Sequence, residues 1–203
     1  MQEIEIPCVI ATTSAASLEW KNVSSVSVDD ETATSEMVQY LCKHGHKNIV
    51  VVGGYLSKNQ ISYARYLGCR KGFEACGLSF DPEQNYVACR YSMEAGYDTV
   101  KELLRRNSDV TAIVALSDTI AFGAMRAIQD SGRRVPEDIS VTGFDGIELA
   151  QFSIPRITTI KQDTRHIATR SVELLIKHIH YNLKSEHDIA PHNLIEGESV
   201  RTL

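Results

Sequence analysis

The chain has 203 residues, enough for one large domain or two small lobes around a sizeable core. Its 43% hydrophobic and 23% charged residues are ordinary for a soluble globular protein, and no apolar run approaches the roughly 18 residues of a membrane span. The formal net charge of −5 makes it a poor direct reader of nucleic acid, because a phosphate-binding surface is normally basic.

The first residues, MQEIEIPCVIATTSAASLEW, carry no basic stretch ahead of a long apolar one. No signal peptide is therefore expected, and a cytoplasmic location is. Pro7–Ala11 and Val23–Val28 read as short strands. Asp29 and Asp30 offer N-caps to a helix ending near His44, with Met37, Val38, Leu41 and Cys42 on one face and Gly45 as the stop. Ile49-Val50-Val51-Val52 is a continuous apolar run, the pattern of a strand buried on both faces, and Gly53-Gly54 ends it. A helix over 62–76 stops at Gly77, and a short strand over 85–89 follows. Ser92 caps a third helix with Tyr97, Val100, Leu103 and Leu104 inside. A strand over 112–116 leads to Ser117-Asp118, capping a fourth helix with Ala121, Phe122, Met125 and Ile128 inward and Gly132 as its end. The strand over 139–144 delivers Asp145 between two glycines. A final helix over 163–182 is expected to bury Ile167, Val172, Leu175, Ile176 and Ile179. Residues 184–192 read as a polar loop, with a last strand at Leu194-Ile195.

Strands alternating with helices imply βαβ units, right-handed crossovers and a parallel sheet. Ligands of such sheets sit beyond the carboxyl ends of the strands. Asp145, Ser117, Asp118 and Gly54 all lie at such ends. Enzyme signatures are missing: there is no Walker A pattern, no GxGxxG and no GxSxG elbow. His44 and His46 flank a glycine, and His178 and His180 fall on different helix faces; neither pair suits zinc, and all four read as solvated surface residues. Five cysteines without CxxC spacing (Cys8, Cys42, Cys69, Cys76, Cys89) read as small buried hydrophobes in a reducing compartment. No catalysis, cofactor or metal is expected. Arg65 and Asp145 remain. An arginine fork and a twice-accepting carboxylate can hold a polyhydroxylated ligand without reacting with it, or they can be a surface ion pair of little energetic weight.

The stretch ALSDTIAFGAMRAIQDSGRRVPEDISVTGFDGIELAQFSIPRITTIKQD resembles the C-terminal half of a lactose-repressor (LacI/GalR) family transcription regulator. So do VDDETATSEMVQYLCKHGHKNIVVVGG and RYLGCRKGFEACGL, and LIEGESV stands where the family has a LIxRxS pattern. The resemblance covers nearly the whole chain from residue 5. It implies an α/β periplasmic-binding-protein-like fold: a doubly wound parallel sheet, one complete lobe and part of a second. Residues 30–160 would form the complete lobe, with 193–203 returning to it. Residues 1–29 and 161–192 would belong to the other, with crossings near Asp29, Lys161-Gln162 and Pro191. By that resemblance, the family's helix-turn-helix, hinge helix and first βα units would precede the part of the family pattern matched here. The resemblance puts Arg65 and Asp145 on the family's ligand-binding arginine and aspartate. It puts Tyr91 at a position that is usually aromatic, and Ser117 where Asn or Asp is frequent. Gln162 falls at the hinge, with Asn59 and Ile61 in the loop after Gly54. Phe122, Leu149 and Phe152 fall near a side-by-side homodimer interface. The implied function is a cytoplasmic repressor domain that binds a small-molecule effector, carbohydrate by preference, and meets operator DNA only through the absent reader. A solute-binding protein of a sugar transporter shares the fold and is the alternative.

Overall fold

The computed structural model describes residues 6–18, 20–57, 60–106, 109–181 and 184–203. β1 (Cys8–Ala11) and β2 (Val23–Val28) open the chain, followed by α1 (Asp30–Lys43), β3 (Ile49–Gly53) and α2 (Ile61–Ala75). A single turn α3 (Pro82–Asn85) leads into β4 (Tyr86–Ala88), then α4 (Met93–Arg106), β5 (Ala112–Ala115), α5 (Asp118–Asp130) and β6 (Ser140–Asp145). β7 (Thr158–Gln162), α6 (Thr164–Tyr181), β8 (His187–Ala190) and β9 (His192–Ile195) complete it.

The strands form two sheets. Six run in the order β4-β3-β5-β6-β7-β9, all parallel except β9, which is antiparallel to β7. Three more form a parallel sheet, β1-β2-β8. The chain passes between the sheets at Asp29, Asp163 and Pro191. Alternate residues of β3 feed opposite cores, as the two-residue period of a strand requires. Val50 and Val52 pack with Val100, Leu104, Ile120 and Ile128 of α4 and α5. Ile49 and Val51 pack with Met37, Leu41 and Phe73 of α1 and α2. Helices therefore cover both faces, and this is why the apolar run carries no polar alternation.

α1 and α2 pack side by side because α2 presents glycines to its neighbour. A Cβ on Gly68 would strike the Glu31 carbonyl, and one on Gly72 would lie 2.6 Å from Val38 Cβ and 3.0 Å from the Ser35 carbonyl. Asp29 caps α1, its Oδ1 accepting from Thr32 N at 3.0 Å. Ser117 caps α5, accepting from Ile120 N at 3.1 Å.

Four expectations from the sequence are corrected. Residues 187–190 are a strand, not loop; His187-Asp188-Ile189-Ala190 has no apolar run because only Ala190 is buried, and the backbone ladder to β2 forms it. α6 buries Ile167, Leu174 and His178, whereas Val172, Ile176 and Ile179 are exposed. Both stripes have helical spacing, and only contact with the small sheet decides between them. His46 and His178 are buried rather than solvated. The ring of His46 bridges Thr111 Oγ1 and the Arg201 carbonyl, each at 3.1 Å, and that of His178 meets Ser24 Oγ at 2.7 Å. Satisfied ring nitrogens make such burial tolerable. Among the cysteines only Cys69 and Cys89 are buried; Cys8, Cys42 and Cys76 are half-buried.

Candidate functional site

The carboxyl ends of β5, β6 and β7 meet the N-terminus of α1 and the first turns of α2 around one guanidinium. Arg65, on α2, is 2% exposed. Its Nε donates to Asp30 Oδ1 at 2.8 Å, Nη1 to the Leu116 carbonyl at 2.6 Å and Nη2 to Asp145 Oδ1 at 3.3 Å. The Phe144 ring lies under it, with Cζ 3.6 Å from the centroid, so one face is covered by a cation–π contact. Gln162 Nε2 donates to the same Asp145 oxygen at 2.8 Å. Arg65, Asp145 and Gln162 thus form one cluster, and the bland alternative of a surface ion pair fails on burial.

Electrostatics follow from two carboxylates sharing one cation. Burial pushes the Asp30 carboxyl up, and Arg65 offsets only part of that. Burial likewise raises Asp145 against the opposing pull of Arg65 and Gln162. Burial pulls the Arg65 guanidinium down, but Asp30 and Asp145 together raise it further, so it stays charged. Asp145 is held in left-handed backbone at φ 103, a conformation that costs a non-glycine residue energy. Asp118 braces the backbone just after Asp145. This fully buried carboxylate accepts from Ile147 N at 2.8 Å and from Thr159 Oγ1 at 2.6 Å. Burial pushes its pKa up to about 6. Gly143 leaves room for it, since a Cβ there would strike Asp118 Oδ1.

The other expected site residues lie differently. Tyr91 shares a hydrogen bond with Ser62 Oγ at 3.1 Å. Its ring lies over Gly54, where a Cβ would come 2.6 Å from Tyr91 Cε2. Tyr91 and Ile61 line a depression of about 430 Å³ together with Thr13, which precedes β2 on the other sheet's side. Ser117 is 3% exposed, and its hydroxyl is engaged by the α5 cap and by Thr119 Oγ1 at 2.8 Å. Asn59 falls outside the described residues. Leu149 and Phe152 are 50% and 74% exposed, while Phe122 is half-buried against the core. Sequence reasoning took Asp30 for a helix cap and placed Asp118 at a strand end as well as a cap, without giving either its tertiary role. The one available signal was two adjacent acidic residues at a helix start, of which a cap needs only one.

Residues 38–200 match the periplasmic binding protein-like domain family. The chain belongs to this family. The chain resembles HTH-type and LacI family transcriptional regulators. It is 33% identical over 199 residues to the HTH-type transcriptional regulator MalR of Clostridium butyricum, covering 98% of this chain and 59% of that protein. It is 37% identical over 148 residues to the HTH-type transcriptional repressor PurR of Pasteurella multocida (strain Pm70), covering 73% of this chain and 43% of that protein. The chain thus spans about half the length of these curated relatives. A LacI family transcriptional regulator from Enterococcus faecium, solved with bound ribose, superposes with a TM-score of 0.82 at 26% identity, over 89% of this chain and 67% of that one. These relatives are regulators rather than transporter components or enzymes, which favours the first of the two expected readings.

Proposed function

We propose that this periplasmic binding protein-like domain is the effector-binding part of a cytoplasmic LacI-type transcription regulator. It takes a sugar or another small polyhydroxylated molecule at Asp145. The observation that carries the reading is the state of that aspartate. Its Oδ1 is held by Arg65 and Gln162, its Oδ2 accepts no hydrogen bond among the described residues, and its side chain is 33% exposed in an otherwise buried cluster. A carboxylate oxygen fixed in that way accepts a ligand hydroxyl without reorganising. Gln162 Oε1 is buried without a partner and accepts a second one. Arg65 has N–H groups left over from its three bonds, and Tyr91 offers a flat apolar face for a sugar ring. Ser117 and Asn59 complete the proposed set. No group here is an activated nucleophile, so the ligand is bound and not turned over.

In this reading residues 30–160 and 193–203 form one lobe, and residues 1–29 and 161–192 belong to the other. Ligand closure changes the angle between them. That change reaches operator DNA through a reader outside this chain, as a coupling free energy between two sites. Phe122, Leu149 and Phe152 supply the homodimer face. Calorimetric titration of the intact regulator with D-ribose and a panel of hexoses and disaccharides tests the site. Asp145→Ala weakens binding of the responding sugar roughly 30-fold or more, because it leaves Arg65 and Gln162 without their acceptor. Equal affinity of the variant and the parent removes Asp145 from the site.

A further inference from the structure

We propose that Cys42 and Cys76 are an oxidisable dithiol, which a peroxide-class oxidant converts into a disulfide that staples α1 to α2. The register of the two helices carries the inference. α2 touches α1 backbone to backbone at Gly68 against Glu31, and at Gly72 lies against the Ser35 carbonyl and the Val38 side chain. Side chains four residues apart stand one above the other on a helix face. One turn beyond Gly72 is Cys76, the C-cap of α2; one turn beyond Val38 is Cys42, in the last turn of α1. Carried one turn further, this register sets the Cys42 and Cys76 side chains opposite each other, and the Cys76 sulfur is near enough to help raise the Cys42 thiol. The glycines bring the two backbones closer than side-chain packing allows, and a disulfide needs such closeness between its Cα atoms. Both thiols are half-buried, unlike Cys69 and Cys89, so an oxidant can reach them. Cys42 also packs on the core formed by α1, α2 and the six-stranded sheet, which fixes its position.

The chemistry balances within the pair and one oxidant. One sulfur attacks a peroxide oxygen; the O–O bond breaks, water leaves with the thiol proton, and a sulfenic acid remains. The second sulfur attacks the first; the S–O bond breaks and the hydroxyl leaves as water with the second proton. Two thiols give up two electrons and two protons, and one hydrogen peroxide becomes two waters. Burial and then the neighbouring sulfur push the Cys42 thiol up to about 12. The reaction is therefore slow at neutral pH and accelerates as pH rises, because the thiolate is the nucleophile. The inference stands on helix register alone and is independent of the ligand reading.

The test is a peptide map of the reduced chain after hydrogen peroxide at neutral and alkaline pH. Tryptic cleavage puts Cys42 in the peptide 22–43 and both Cys76 and Cys89 in the peptide 72–90. The expected product is these two peptides joined and lighter by two hydrogen atoms, with fragmentation placing the bond on Cys42 and Cys76. The joined species persists in Cys89→Ser and disappears in Cys42→Ser and Cys76→Ser. Oxidised chain then melts roughly 5–10 °C above reduced chain, since the bond closes a long loop. Recovery of Cys42 and Cys76 as free thiols from oxidised chain overturns the proposal. So does a bond from Cys76 to Cys89, or a Tm that falls on oxidation. The parent chain gives these readings by itself, so a variant that fails to fold leaves the test intact.

Discussion

Replacing Arg65 by leucine is the sharpest test of the electrostatic reading. The side chain is buried, and three acceptors converge on it: Asp30 at 2.8 Å, the Leu116 carbonyl at 2.6 Å and Asp145 at 3.3 Å. Leucine keeps apolar contact with Phe144 but strands Asp30, which is 7% exposed, as an unpaired buried carboxylate. Removing one partner of a buried ion pair costs about 3–5 kcal/mol. For a chain of this size that is a Tm drop of roughly 6–20 °C. Urea unfolding at pH 7 measures it, with an unchanged m-value showing that the unfolding reaction is the same. The deficit has a pH signature. Burial already raises Asp30 above its ordinary value, so the folded state takes up its proton first. Loss of the arginine raises it further. A group with a raised folded pKa stabilises the fold on acidification, so the gap between variant and parent narrows as pH falls. Adding Asp30→Asn to Arg65→Leu restores part of the loss, a coupling of roughly 1–3 kcal/mol in a double-mutant cycle. A loss below about 1 kcal/mol at Arg65, or two single losses that add, refutes the claim that the pair is a buried, mutually dependent charge system.

Three further outcomes follow from other parts of the molecule. Asp118, with a folded pKa of about 6 against an ordinary 3.8, takes up a proton on folding between those values. Relative to Asp118→Asn, the parent therefore gains roughly 1 kcal/mol of stability between pH 7 and pH 5, read from urea midpoints; parallel pH profiles of the two chains exclude this. His46 has the opposite sign. Burial lowers its pKa below 6.5, so it stabilises the fold above that value and loses the contribution as pH falls below it. His46→Gln flattens that acid-side loss in thermal melts, and a variant as acid-sensitive as the parent excludes the assignment. On the proposed homodimer reading, Phe152→Ser with Leu149→Ser, both on exposed apolar residues, shifts sedimentation of the intact protein from dimer toward monomer. An unshifted dimer removes both from the interface.

The parallel core was legible because its burial is written in unbroken apolar runs. Ile49–Val52 and the helix faces at Met37, Val38 and Leu41 sit where their spacing predicts. The small sheet was less legible. Its strand β8 has one buried residue and takes its place by backbone pairing to β2, which leaves no side-chain pattern to read. α6 carries two apolar stripes, and periodicity cannot say which one meets a sheet of three strands. At the site, Asp145 stood out as a charge at the mouth of a buried strand, and Arg65 as its complement. The tertiary bonds of Asp30 and Asp118 were hidden by their position. A carboxylate at a helix start has a sufficient local explanation as a cap, and its tertiary bond spans far more sequence than any motif. Asp118 reaches Ile147 and Thr159, and Asp30 reaches Arg65. The buried histidines were missed for a related reason: their partners are a carbonyl and hydroxyls supplied by distant strands and by the C-terminal residues.

Arg65 and Asp145 play unequal structural parts in this layout. Arg65 collects the end of β5 through Leu116, the end of β6 through Asp145 and the start of α1 through Asp30. It fastens the sheet's carboxyl edge as well as serving, in the proposed reading, as a ligand donor, so its removal lowers stability and affinity together and cannot apportion them. Asp145 differs. It is partly exposed, Asp118 braces the backbone just after it through Ile147 N, and its loss leaves the Arg65–Asp30 pair intact. If the proposed site is right, a change at Asp145 therefore acts mainly on the ligand and one at Asp118 mainly on the geometry presented to it. Comparing the two separates recognition from support, and the same comparison made at Arg65 does not.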